Sequence, residues 1–222
     1  GLATLEDGRK VFVWGALPGE RARIRIIKAK RSYAEAIAVE VLEASAARIA
    51  PREPNYLATS PWQIVGLQTE NDYKKQIVAE LFGQAHLALP DFAMTSAGDD
   101  WRYRNKMEYS FWGDDDGLHL ALHNRGSHAK TIVTGSELAL PAVDRAANAV
   151  LRELRSIAGL RAGDLKTIIV RCSQAGAAVV SLFVKPETFP ELTLPPEVQG
   201  LRIYHSSPKS PASVPTKLLA EK

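Results

Sequence analysis

Residues 21–26 read Arg-Ala-Arg-Ile-Arg-Ile, a strict alternation of charged and apolar side chains. A period of two is that of a β-strand, so Arg21, Arg23 and Arg25 share one face and Ala22, Ile24 and Ile26 the other. The chain must therefore hold a half-buried strand near its start, and a sheet that covers the strand's apolar side. Lys28, Lys30 and Arg31 continue the basic run, and no acid lies between residues 21 and 31. The chain has 28 Lys/Arg and 25 Asp/Glu. Nine of the basic residues and six of the acids lie in residues 1–50, so the whole net charge of +3 resides there and the remainder balances. A local basic stripe on a balanced protein suits a polyanion partner, with a solvated strand face as the alternative.

Residues 11–14 read as a short buried strand and Leu17-Pro18-Gly19-Glu20 as a turn. Residues 33–43 are open between helix, which their alanines favour, and strand, which the alternation of Ile37, Val39 and Val41 favours. Short strands this closely spaced imply a small OB-like β-barrel. The three prolines of residues 51–62 predict a loop. A helix follows, with Thr69 as cap, Asp72 three residues on, an apolar stripe of Tyr73, Ile77, Val78 and Leu81, and Gly83 at its end. Residues 87–100 read as irregular. Residues 101–112 predict a strand that turns at 113–117 into a second strand, Leu118–His123, with a third at Ala129–Val133. Residues 141–158 predict a helix that starts at Pro141, buries Val143, Ala147, Val150, Leu151, Leu154 and Ala158, and stops at Gly159. A hairpin over 167–184 and a strand at Leu201–Tyr204 follow, and the Pro/Ser-rich tail from Ser206 has no structural ending. The fold class is a small OB-like β-barrel followed by an α+β domain with an antiparallel sheet. Its segments are 1–50 (barrel), 51–98 (linker and helix), 99–209 (α+β domain) and 210–222.

Composition is that of a globular protein, 45% hydrophobic and 24% charged, and no apolar run is long enough to span a membrane. Cys172 is the single cysteine, which excludes a disulfide framework and a Cys-rich metal site and points to a reducing, cytoplasmic compartment. Dinucleotide, Walker, zincin and nucleophile-elbow motifs are absent. His119 and His123 lie four apart on a strand, too far from each other to share a metal, so no metal site is expected. Cys172, in the apolar run Ile168-Ile169-Val170-Arg171-Cys172, reads as a buried structural thiol. Trp101-Arg102-Tyr103-Arg104-Asn105-Lys106 interleaves aromatic rings with cations, the pairing that stacks bases and neutralises phosphates. A decorated strand is the alternative.

The segments WRYRNKMEYSF and GLHLALHNRGSHAKTIV resemble the central domain of the RNA (uracil-5-)-methyltransferase family, which makes 5-methyluridine in ribosomal and transfer RNA. The stretch from Gly1 to Pro51 resembles the TRAM domain that this family often carries, an OB-like RNA-binding barrel. QTENDYKKQIVAELF is similar to the helix that follows the family's cysteine cluster. The resemblance implies RNA as partner, with Arg21, Arg23, Arg25, Lys28, Lys30 and Arg31 on the TRAM side and Arg102, Tyr103, Arg104, Asn105 and Lys106 on the central domain. Many members hold a [4Fe–4S] cluster through cysteines, whose places here fall near Glu53, Thr59 and Trp62, so no iron–sulfur cluster is expected. The family's S-adenosylmethionine loop, nucleophilic cysteine and general base belong to a C-terminal domain that nothing here matches. LRIYHSSPKSPASVPTKLL resembles the segment just before that domain, so residues 210–222 read as its beginning. The expectation is the RNA-binding portion of a methyltransferase, with no catalytic residue or cofactor of its own; S-adenosylmethionine is expected for the full-length parent. A stand-alone, non-enzymatic RNA-binding protein is the alternative.

Overall fold

A computed structural model describes residues 1–96, 98 and 100–222. The start of the third predicted segment, at residue 99, lies outside the described residues. The chain forms two compact units, Gly1–Asp100 with Asn124–His128, and Trp101–His123 with Ala129–Lys222. Residues 1–50 and 51–98, separate in the sequence reading, thus fall in one unit.

The first unit is built on β1 (Leu2–Thr4), β2 (Lys10–Trp14), β3 (Arg21–Ala29) and β4 (Tyr33–Glu43). Strand wins over helix in residues 33–43 because alternate positions, Ala34 and Ala36, are fully buried against Val11 and Val13. The sheet order is β1-β2-β4-β3, with β2 and β4 parallel. This corrects the expected barrel: β1 and β3 are not paired with each other, so the sheet is open. It also corrects the buried face of β3. The register slips between Ile26 and Lys28, so the alternation breaks and Ile26 is 44% exposed.

After β4 the proline-rich segment is not a plain loop. It holds α1 (Tyr56–Thr59) and a single 3-10 turn, Pro61–Ile64. The proline at the start of that turn has no N–H to satisfy there, and Ser60 accepts from the Trp62 N–H. Leu17, Ile64 and Val65 form a second core, with Tyr56, Trp62 and Tyr73 packed on it. The predicted helix exists as α2 (Leu67–Gln84), but it begins after Gly66 with no side-chain cap. Thr69 lies inside it. Its apolar stripe is not buried in the described residues, with Ile77 46% and Leu81 59% exposed.

The second unit is a seven-stranded sheet of order β11-β10-β9-β8-β5-β6-β7. Its strands are β5 (Lys106–Asp114), β6 (Gly117–His123), β7 (Lys130–Ile132), β8 (Leu165–Cys172), β9 (Ala178–Val184), β10 (Gly200–His205) and β11 (Lys217–Glu221). The antiparallel expectation fails at one pair: β9 and β10 are parallel, because residues 185–199 carry the chain back along the sheet and bury Leu192 and Val198 on the way. One amphipathic helix, α3 (Pro141–Arg155), packs on β6, β8 and β9. Its buried face contains the expected Val143, Ala147, Val150, Leu151 and Leu154, and adds Ala142, Ala146 and Ala149. Asp144 in the first turn and Arg152 and Arg155 in the last complement the helix dipole. The helix ends at Arg155, with Ser156 as its C-cap, short of the expected Gly159, so Ala158, expected on the buried face, lies beyond it and is exposed.

The tail is structured as well. Residues 217–221 pair antiparallel with β10. The Lys166 ammonium lies 2.8–3.2 Å from Ser206 Oγ, the carbonyls of Ser207, Ser210 and Pro211, and Ser210 Oγ, which ties the Ser/Pro-rich segment to β8.

Candidate nucleic-acid interface

The basic stripe of β3 is exposed, as its alternation requires, but half of it is paired. Arg21 meets Glu43 at 3.1 Å, Arg23 meets Glu40 at 2.5 Å and Lys28 meets Glu35 at 2.5 Å. The three acids stand on β4, opposite their partners in the register. Exposed pairs of this kind add little stability, yet they reduce the local positive excess. Among the described residues, Arg25, Lys30 and Arg31 make no ion pair. Of these, Lys30 and Arg31 stand at the turn that joins β3 to β4, and Arg25 lies in the middle of β3 opposite Ile37.

On the second unit the segment Arg102–Lys106 divides in two. Arg102 is a structural residue. Its guanidinium donates to Glu137 Oε1 and the Ser136 carbonyl at 2.9 Å, and stands 3.5 Å from Asp144. Its backbone is left-handed, at φ 54°. Asp144 is itself committed: it accepts from Tyr109 Oη at 2.6 Å and from the Ser136 N–H at 3.3 Å. Gly135 makes room for this carboxylate, because a Cβ there would lie 2.5 Å from it. These bonds give Arg102 a role in the fold, while its side chain keeps 41% of its surface exposed. The predicted strand also starts later than expected, at Lys106, since residues 102–104 are drawn to 137–140 by main-chain bonds.

Tyr103 is 48% exposed, and the Arg104 guanidinium lies 5.9 Å from its ring centroid. Asn105 and Lys106 are exposed. Lys106 pairs in register with Arg171 of β8, which brings a second exposed cation beside it. Arg171 escaped sequence reasoning, because only strand pairing places it there. Phe12 and Tyr33 were missed too. The signal for Phe12 was present, since it alternates with the buried Val11 and Val13.

The other candidates resolve as follows. His119 Nε2 lies 2.8 Å from Asp114 Oδ1, inside the β5–β6 hairpin. Cys172 is buried, and burial pushes its thiol pKa up. Glu53 and Gln63 are buried, and Glu53 Oε2 accepts from Thr59 Oγ1 and Gln63 Nε2, both at 2.5 Å. The Trp62 ring lies 5.6 Å from the Lys74 ammonium. This donor set of carboxylate, hydroxyl and amide, already satisfied within itself, does not fit a four-iron cluster that needs thiolates. Among the described residues, no helix is long and apolar enough to cross a membrane, and no group of His, Cys, Asp and Glu could hold a metal ion.

A TRAM-domain model matches residues 1–39. The 23S rRNA (uracil(1939)-C(5))-methyltransferase RlmD of Halomonas elongata is 31% identical over 158 residues, 70% of this chain and 32% of that protein. An uncharacterized RNA methyltransferase of Thermotoga maritima is 29% identical over 199 residues, 86% of this chain and 44% of that protein. The chain thus spans about a third to under a half of these relatives' length. In structure it is similar to the tRNA (uracil-54, C5)-methyltransferase of Pyrococcus abyssi, solved with S-adenosyl-L-homocysteine. The TM-score is 0.64 at 13% identity, over 99% of this chain and 54% of that one. That likeness shares a fold, and by covering nearly the whole chain it does not itself separate a binding part from a catalytic part. The chain carries a TRAM domain at residues 1–39 and is similar, over most of its length, to RNA uracil-C5 methyltransferases.

Proposed function

We propose that this chain is the RNA-binding portion of an S-adenosylmethionine-dependent RNA uracil-C5 methyltransferase acting on ribosomal or transfer RNA in the cytoplasm. The observation that carries the reading is the sequence similarity to such enzymes, which runs through both units behind a TRAM domain. Two sets of basic residues fit the role, the exposed Arg25, Lys30 and Arg31 on the first unit, and the half-buried Arg104 with the exposed Tyr103, Asn105, Lys106 and Arg171 on the second. The target base of such a reaction must leave the stack, and contacts to flanking RNA offset that cost.

The residues present do not fit the methyl-transfer step. Methylation at carbon 5 of uracil needs a thiolate to add at carbon 6. Cys172, the single thiol, is buried and its pKa is raised by that burial, so it stays protonated and out of reach. The role assigned to this chain is to hold and orient RNA.

The test is RNA affinity of the full chain, read by fluorescence anisotropy on a labelled uridine-rich single strand. Binding that weakens with salt is expected. Arg104→Ala should weaken it while the melting temperature stays within a few degrees. Absence of binding even at low salt overturns the proposal.

A further inference from the structure

The outer face of the first sheet carries an aromatic pair that no core explains. Val11, Val13, Ala34 and Ala36 point inward, so strand alternation sends Lys10 and Phe12 of β2 and Tyr33 and Glu35 of β4 to the opposite side. The register sets Lys10 beside Tyr33, Phe12 beside Glu35, and Glu35 beside Lys28. The Phe12 and Tyr33 rings meet edge to face, with centroids 5.9 Å apart, and Phe12 is 48% exposed. The Lys28 ammonium lies 5.7 Å from the Tyr33 ring centroid. Lys10 is held by Thr4 Oγ1 at 2.9 Å, and Lys30 and Arg31 stand at the adjoining strand ends.

A single exposed apolar side chain is ordinary on a protein surface. Two rings in contact, with the Lys28 ammonium near one of them, Lys10 opposite Tyr33 in the register, and Lys30 and Arg31 in the adjoining turn, are a more specific arrangement. It presents a π face for stacking and charges at its edge for a backbone. The acid on this face, Glu35, is paired with Lys28. A protein partner would meet unpaired cations here, whereas nucleic acid brings the matching phosphates. Duplex bases already stack on each other, so the occupant must be single-stranded.

Resting on the RNA-binding reading above, we propose that Phe12 and Tyr33 form a stacking platform for an unpaired base of single-stranded RNA. Lys10, Lys30 and Arg31 take the flanking phosphates, and Lys28, paired with Glu35, stays beside the Tyr33 ring. The first unit's main contact then lies at this end of the sheet, and the Arg21–Arg23 part of the stripe is secondary.

The experiment compares wild type, Phe12→Ala, Phe12→Leu and the double change Lys10→Gln/Lys30→Gln, each as the full chain. The probes are a labelled uridine-rich single strand, the same strand with abasic sites, and a duplex of equal length. Both Phe12 variants should lose about tenfold in affinity for the single strand, with an unchanged slope of log K against log salt. Wild type should lose a similar factor on the abasic strand. The lysine pair should reduce the slope by roughly 1.4, about 0.7 for each contact. Phe12 lies outside the core, so both of its variants should fold, checked by melting, and Phe12→Leu keeps the side-chain bulk should the alanine fail. Wild-type affinity in both Phe12 variants overturns the platform while leaving the RNA-binding reading intact. Retention by Phe12→Leu alone means apolar packing, as against a protein partner, and overturns it too. Failure of wild type to bind any of the three probes overturns the reading itself.

Discussion

The side chain of Glu20 shows how much one residue can hold. Its two oxygens accept from Arg48 Nε at 2.5 Å and Nη2 at 2.6 Å, from the Leu17 N–H at 2.8 Å and from the Ser45 N–H at 3.1 Å. Arg48 also donates to the Gly15 carbonyl at 2.8 Å. Gly15 must be glycine, with φ at +81° and the Tyr56 hydroxyl 2.8 Å from where a Cβ would stand. The Arg48 guanidinium holds the Glu20 carboxyl down at about 2, from 4.5. A depressed folded value means that the stabilisation is complete above the unfolded pKa and is lost as pH falls from about 4.5 towards 2. Its size is about 3 kcal/mol. Thermal melts across that pH window should show the loss in wild type, and Glu20→Gln should make the dependence shallower, with the other partnered carboxylates, Asp7, Asp114, Glu191 and Glu197, still titrating. Arg48→Ala should cost about 3–5 kcal/mol, because it leaves a buried carboxylate unpaired. Sequence inspection placed Glu20 in a turn but could not find its partner, 28 residues away. Arg102 is a second residue whose fold contacts the sequence did not show. Arg102→Ala should lower stability by about 1 kcal/mol, through lost bonds to Glu137 and Ser136, with the salt slope of RNA binding unchanged. A flattened slope at wild-type stability would place Arg102 on the RNA surface.

At the level of elements, strand β3 was legible because its period of two is unambiguous over six residues. Its bulges were not, since a register slip depends on the partner strand and leaves no mark in composition. The acids of β4 were equally hidden. Glu35, Glu40 and Glu43 lie outside residues 21–31, and only pairing sets them beside Lys28, Arg23 and Arg21. If the stripe contacts phosphate, Glu40→Gln with Glu43→Gln should raise RNA affinity and steepen its salt dependence, by releasing two arginines. Unchanged titration curves would leave Arg21 and Arg23 as a solvated face. Helix α3 was readable from its 3.6-residue period and Pro141, and its burial followed. For α2 the same kind of pattern gave the helix but not its burial, because an apolar stripe states a preference for cover and does not supply it.

For the molecule as a whole, the proposed RNA-binding role and the chemistry of Glu53, Thr59 and Gln63 make two expectations testable together. Calorimetry of the full chain with S-adenosylmethionine should show no binding, and elemental analysis after anaerobic purification should find no stoichiometric iron. Micromolar binding of the methyl donor would assign this chain a catalytic part, and iron at one cluster per chain would overturn the placing of Glu53, Thr59 and Gln63 in a self-contained hydrogen-bond group. The sequence by itself determined the strands and helices with clear periodicity, the basic bias of the first fifty residues and the shortage of thiols. These are local or additive properties, readable without knowing what touches what. Only the tertiary structure decided that the first sheet is open, that β9 and β10 run parallel, that the tail returns as β11, and that Arg102 serves the fold. It also decided which cations keep their charge free and that Phe12 meets Tyr33. Each of these depends on strand register and on partners distant in the chain, where hydrogen-bond geometry and burial outweigh local preference.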